Sequence, residues 1–327
     1  MLLAGAGLMH FAGILFARYN VVGILAAPQS ARRRPLCRTA RSWSRRWRKE
    51  SPLRILLIEP SKAPVAIGGE DLFLYEPLAL EYVAAGVAAD HEVRLLDLRL
   101  ERNLPGTLEE FQPEVVGITG YTVHVNVVRA LFDQVKRWNP RALTVVGGHH
   151  ATVAPEDFLS PAIALIVLGE GVFAFREVVA RFAHGEGFDG IPGVAFARAG
   201  QLVKAEARPV HDLDAFPWPQ RSLTARYRQH YFAEWMKPLA TIRTSKECPH
   251  RCSFCALWRL TGGRYIKRDL DKIVEELAGL DEECIFFADD ESLIDASRMK
   301  TLAARIKEAG LRKRFFLYGR SDTIARN

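Results

Sequence analysis

Short apolar runs recur along the chain and alternate with longer amphipathic stretches. Residues 54–58 (RILLI) form an apolar run with no helical period, which predicts a buried strand. Pro77 opens a helical stretch, PLALEYVAAGVAAD, and proline suits a first helical turn. Further strands are expected at 93–98 (VRLLDL), 115–119 (VVGIT), 143–146 and 163–168. A helix follows the strand at 115–119 through Trp138, and another follows the strand at 163–168 through Ala183. Strand alternating with helix at this spacing predicts an α/β fold, a doubly wound, Rossmann-like parallel sheet covered on both faces. Ligands of such sheets lie beyond the carboxyl ends of the strands. Thr119, Gly147, Gly148, His149, Gly169 and Gly171 are therefore the candidate contacts. Glycine there lets backbone amides come close to a ligand, and a side chain at 148 is expected to enter that ligand's space. The glycines do not form GxGxxG, so a dinucleotide site is unsupported. Plain strand-end turns remain an open alternative.

Residues 186–238 are rich in Pro, Gly and aromatics and read as a linker holding a hairpin at 194–197 and 202–205. A new alternation then begins. A strand is expected at 239–243, a helix at 268–280, a strand at 284–288, a helix at 297–309 and a strand at 315–318. The first helix has an apolar face of Leu270, Ile273, Val274, Leu277 and Leu280, at helical spacing. This pattern fits the start of a (β/α) barrel, whose site residues sit at the carboxyl ends of strands. Asp289, Asp290 and Arg320 hold such positions, although acids there also serve as helix caps. The organisation is thus 1–52 extension, 53–185 doubly wound domain, 186–238 linker, and 239–327 partial barrel.

The chain has 327 residues, room for about two domains. Its formal net charge of +7 looks like a nucleic-acid signal. Ten of the 45 basic residues and one of the 38 acidic residues fall in the first fifty positions, however, leaving 35 basic and 37 acidic for the body. A neutral to slightly acidic body argues against a nucleic-acid partner. The first fifty residues join an apolar stretch to an Arg-rich one without the leading positive charge of a secretory signal. The apolar stretch is marginal for a membrane span. The expectation is an extension outside the working protein, with the domain opening at Leu53.

Three of the five cysteines crowd into TIRTSKECPHRCSFC, on the loop after the strand at 239–243. Clustered thiols without paired spacing elsewhere point to a reducing, cytoplasmic setting and to metal. Cys248, Cys252 and Cys255 at CxxxCxxC spacing are able to wrap one iron–sulfur cluster. Zinc usually takes four closed ligands, and no fourth Cys or nearby His pair is available; His250 lies inside the loop but is not favoured as a ligand. Three thiolates on a [4Fe-4S] cluster leave one iron open. Cys284 is expected to pack as a buried strand residue, and Cys37 lies in the extension.

The Cys248–Cys255 spacing, with Phe254 just before the last Cys and a strand before the loop, resembles the radical S-adenosylmethionine (radical SAM) proteins. The strings VVGGHHATVAPEDFL, ALIVLGEG, IPGVAF and LDAFPWP, in that order, resemble the cobalamin (B12)-binding members of that family. The resemblance runs from about Leu53 to the chain end. It implies a [4Fe-4S] cluster, S-adenosylmethionine at the open iron, and cobalamin on the first domain's rim. It implies that Phe254, Asp289, Asp290 and Arg320 contact S-adenosylmethionine, the acids at its amino group and Arg320 at its carboxylate or ribose. It also implies a radical that takes hydrogen from an unactivated carbon, followed by methyl transfer, cyclisation or another rearrangement. The substrate would be a small molecule or lipid, and the electron donor a flavodoxin or ferredoxin. Many cobalamin domains place Asp-x-His-x-x-Gly after the first strand. Here that loop reads EPSKAPVAIGGED, without His, so cobalt would lack an imidazole below. His124, His149 and His150 are not favoured as substitutes. The family barrel also has more strand–helix units than this sequence holds, so a fragment is expected. A non-catalytic remnant and a corrinoid-binding module without radical chemistry are the alternatives.

Overall fold

The computed structural model describes residues 52–63, 72–206, 209–210, 212–255 and 257–326. The expected extension, Cys37 and most of the loop after the first strand lie outside the described residues. The chain forms β1 (Arg54–Glu59), β2 (Phe73–Leu74), α1 (Leu78–Ala85), β3 (Glu92–Asp97), α2 (Leu104–Phe111), β4 (Val115–Thr119), α3 (Val125–Trp138), β5 (Leu143–Gly147), α4 (His149–Val153), β6 (Leu165–Val167) and α5 (Gly171–His184). The sheet order is β3-β1-β4-β5-β6, all parallel. The hairpin β7 (Val194–Arg198) and β8 (Gln201–Lys204) continues it, β7 pairing antiparallel with β6. The hairpin assigned to the linker is thus hydrogen-bonded into the first sheet.

β1 shows why the sheet is buried on both sides. Ile55 and Leu57 pack with Leu80, Phe175 and Val178 on one face. Leu56 and Ile58 pack with Leu104, Leu108 and Phe132 on the other. Alternate side chains point to opposite faces, so an uninterrupted apolar strand needs a layer on each. α3 presents Val128, Leu131, Phe132 and Val135 to the sheet at helical spacing. α2 begins at Asn103, whose side chain accepts from the Gly106 N–H at 3.1 Å. α5 ends at Gly185, in the left-handed region.

After β9 (Phe232–Ala233), a second sheet is made by β10 (Leu239–Ile242), β13 (Cys284–Phe287) and β14 (Arg314–Leu317), all parallel. Between its first two strands lie β11 (Ser245–Lys246), α6 (Leu257–Leu260), β12 (Ile266–Lys267) and α7 (Leu270–Ala278); α8 (Ala296–Glu308) joins the last two, and α9 (Ser321–Arg326) follows β14. Ala240, Ile242, Ile285 and Phe287 lie under Ile273 and Leu277 of α7 and Leu302 and Ile306 of α8. Each buried Leu, Ile or Phe among them contributes about 1.5–3 kcal/mol. On the other face, Leu239, Cys284, Phe286 and Phe316 pack against Met236 and against Phe73 and Tyr75 from the first half of the chain. Cys284 is the expected buried strand residue.

The two halves are also tied by charge. A 3-10 helix, Arg221–His230, sits between them. Arg221 reaches Glu76 at 2.7 Å, Glu276 at 2.6 Å and the Thr241 carbonyl at 2.7 Å, and lies 3.7 Å from Glu81. Arg228 bonds Glu76 and lies 3.1 Å from Glu282. Glu76, Glu81 and Glu276 are all buried. Removing Glu76 or Glu276 from such a network leaves a buried charge and costs about 3–5 kcal/mol. No described helix is long and apolar enough to cross a membrane.

Candidate functional site

The second sheet positions the cysteine loop through the acids that follow β13. Asp289 is 3 % exposed and accepts from the Thr244 N–H at 2.7 Å, the Thr244 hydroxyl at 2.5 Å and the Ser245 N–H at 2.9 Å. Asp290, which is exposed, accepts from the Glu247 N–H at 2.7 Å. Glu247 has positive φ, and its buried carboxylate accepts from the Arg264 N–H at 3.1 Å. The segment entering the cysteine motif is therefore pinned at three successive places. Burial pushes the Asp289 carboxyl up, against the pull of the three donors.

Cys248, Cys252 and Cys255 are free thiols, each partly exposed, on this one loop. Cys255 N–H donates to the Cys252 carbonyl at 3.1 Å, a tight turn between the last two. Among the described residues no three His, Cys, Asp or Glu side chains converge as a ready metal-holding group, so the thiols share a loop without meeting at one point. Phe254 is 91 % exposed. Arg320, after β14, donates to the Cys252 sulfur at 2.9 Å.

On the first sheet, Thr119, Gly147, Gly169 and Gly171 sit on one rim, at the ends of β4, β5 and β6. Gly148 has φ +99°, and a Cβ there would lie 2.6 Å from the Thr119 hydroxyl and 3.0 Å from the Gly120 backbone. Its missing side chain lets the turn after β5 pack on the turn after β4, where a Cβ would strike Thr119 and Gly120. Gly169, also at positive φ, donates to the Thr152 hydroxyl at 2.9 Å. His149 is exposed and stacks on Tyr121, with ring centroids 5.1 Å apart and planes 15° apart. The surrounding protein pushes the His149 imidazole down, partly opposed by the nearby Asp290 carboxylate. His150 is buried, with Nδ1 3.0 Å from the Thr122 hydroxyl and Nε2 2.8 Å from Asp157. His124 is also buried, and its Nδ1 accepts from the Tyr121 N–H at 3.3 Å.

The two rims meet. Glu170, between Gly169 and Gly171, lies 2.5 Å from Lys246 and 3.7 Å from Arg243, both just ahead of the cysteines. These cations hold the Glu170 carboxyl below its usual range despite its burial. Arg243, Lys246 and Tyr121 escaped the sequence reading. Glu170 stood out only as part of the Gly169–Gly171 strand-end turn, with no sign of its partners.

The fold and the loop together define a two-part protein: a doubly wound domain facing a β/α sheet that carries three clustered thiols. Residues 64–179 match the B12 binding domain family. The hopanoid C-3 methylase of Methylococcus capsulatus is 32% identical over 262 residues, covering 77% of this chain and 49% of that protein. An uncharacterized methyltransferase of Pyrococcus horikoshii is 30% identical, covering 72% of this chain and 53% of that protein. In fold, the chain resembles TsrM of Kitasatospora setae, a radical S-adenosylmethionine methyltransferase solved with cobalamin and a [4Fe-4S] cluster bound. The TM-score is 0.62 at 23% identity, over 79% of this chain and 53% of that one. This chain belongs to the radical SAM proteins that carry a B12-binding domain. It spans about half the length of the relatives it matches.

Proposed function

We propose that this chain is the cofactor-holding portion of a cobalamin-dependent radical SAM enzyme that transfers a methyl group to an unactivated carbon of a small molecule or lipid. The observation that carries the reading is the meeting of the rims: Glu170 of the first sheet bonds Lys246, two residues ahead of Cys248. A corrinoid on one rim would then face a cluster on the other. The methyl-transfer choice draws on the relatives named above, and the domain limits 53–185, 186–238 and 239–327 remain our division of the chain.

The donor set fits the cluster. Three free thiols on one loop, without a fourth Cys or His drawn in among the described residues, suit a cluster with one open iron better than a closed zinc site. When bound, the cluster and S-adenosylmethionine supply the hydrogen-abstracting radical and the corrinoid supplies the methyl group. Cys248, Cys252 and Cys255 would be the ligands. Asp289 fixes the loop from behind, its oxygens already taken up by Thr244 and Ser245, whereas Asp290 and Phe254 are exposed and would be open to contact with S-adenosylmethionine. Thr119, Gly147, Gly169 and Gly171 shape the corrinoid rim, with His149 and Tyr121 offering a stacked surface. The loop after β1 contains no His, so cobalt would have no imidazole from below. A flavodoxin- or ferredoxin-type protein would supply electrons, and the free thiols favour the cytoplasm.

The test is to load the full chain anaerobically with iron, sulfide and hydroxocobalamin. It should retain both cofactors and, with a low-potential reductant, consume S-adenosylmethionine. Retention of cobalamin without iron would instead favour a corrinoid-binding module.

A further inference from the structure

The resemblance assigns Arg320 to S-adenosylmethionine, but its surroundings give it different work. Its Nε and Nη2 are engaged by Asp322 at 3.0 and 3.1 Å. Its backbone N–H donates to Glu291 Oε2 at 2.7 Å. Glu291 is itself fixed, its other oxygen accepting from the Leu293 N–H at 3.0 Å. The neighbouring Gly319 packs so closely that a Cβ would lie 2.6 Å from Leu293. Arg320 is thus held at backbone and guanidinium together, and Nη1 is directed at the Cys252 sulfur, 2.9 Å away.

We infer that Arg320 is a positioning residue that raises the reduction potential of the cluster by donating an N–H to the Cys252 sulfur, and is not the clamp for the S-adenosylmethionine carboxylate. This rests on the cluster reading proposed above. The physical reason is charge. A cluster ligated by three thiolates is anionic, and adding one electron from an external low-potential donor makes it more so. A cationic donor on a ligand sulfur stabilises the reduced form more than the oxidised one. Hydrogen bonds to the sulfurs are among the levers that set such potentials. No bond is made or broken at Arg320 and no proton moves. Asp322 keeps the fork oriented and offsets part of its charge, so the influence depends on where the N–H points as well as on net charge.

The experiment is an anaerobic redox titration of the iron-loaded full chain, followed by electron paramagnetic resonance, on wild type, R320Q and R320K, with S-adenosylmethionine affinity measured in parallel. The expected result is a more negative midpoint in R320Q at unchanged iron content, a smaller shift in R320K, and nearly unchanged S-adenosylmethionine binding. An unchanged midpoint with binding weakened about tenfold or more, about 1.4 kcal/mol, would overturn the inference and return Arg320 to the clamp. If R320Q loads no iron, R320K decides: a negative shift supports the inference and none overturns it. Wild-type protein that loads no iron would overturn the cluster reading and this inference with it; loaded protein with an insensitive midpoint overturns only the inference.

Discussion

Replacing Glu81 by Gln should stabilise the protein above neutral pH. Glu81 lies on α1, fully buried. One oxygen accepts from the Thr224 hydroxyl. The other has no hydrogen-bond donor among the described residues, the Arg221 guanidinium standing 3.7 Å off. Burial, reinforced by the neighbouring Glu76 carboxylate, pushes its carboxyl from the ordinary 4.5 up to about 8. The folded chain therefore keeps this proton through a range in which the unfolded chain has lost it. Stability from this group is full below the unfolded value and is lost as pH rises toward the folded one. Each full pH unit in that window costs about 1.4 kcal/mol; because the loss tapers near each end of the window, the group removes about 3 kcal/mol between pH 5 and 8. Gln keeps an acceptor for Thr224 and carries no ionisable proton. Denaturant melts of wild type and Glu81→Gln from pH 5 to 8 would read the difference. Near-equal stability at pH 5 and an advantage of about 3 kcal/mol for the variant at pH 8 are expected. A variant that is less stable at pH 8, or a difference that does not change with pH, would refute the reasoning.

Gly148→Ala should destabilise the fold by about 1–3 kcal/mol through its positive φ and its collision with Thr119. Adding Thr119→Ala should recover part of that loss in the same melts; unchanged stability would refute the packing account. Ile285→Ala, at a fully buried site under α7 and α8, should cost about 2–5 kcal/mol, read as a lowered denaturant midpoint. Asp289→Ala should cost about 3 kcal/mol or more, since it strands the Thr244 and Ser245 donors. It should also weaken iron retention, measured by iron content after desalting.

What could be read from the sequence followed the periodicity of each element. β1, β4 and β5 are short, mainly apolar runs, and their parallel order follows from the helices between them. The cysteine loop was recognisable because thiol spacing carries its own chemistry. The hairpin β7–β8 was legible as a hairpin, but its pairing with β6 was not, because antiparallel addition at a sheet edge leaves no local signal. The Arg221 and Arg228 network was hidden for a related reason. An arginine in a Pro-rich linker looks solvated, and its burial depends on Glu76 and Glu276, which are distant in sequence. Gly148 showed the limit of reading a residue type. Glycine at a strand end signals close approach, but the sequence did not say that Thr119 is among the groups that approach it.

The central claim is that Cys248, Cys252 and Cys255 hold a four-iron cluster. Its most direct test is the metal content of anaerobically reconstituted full chain. The account predicts about four irons per chain with iron–sulfur absorbance, both lost in Cys252→Ala. Stoichiometric zinc without iron absorbance would contradict it.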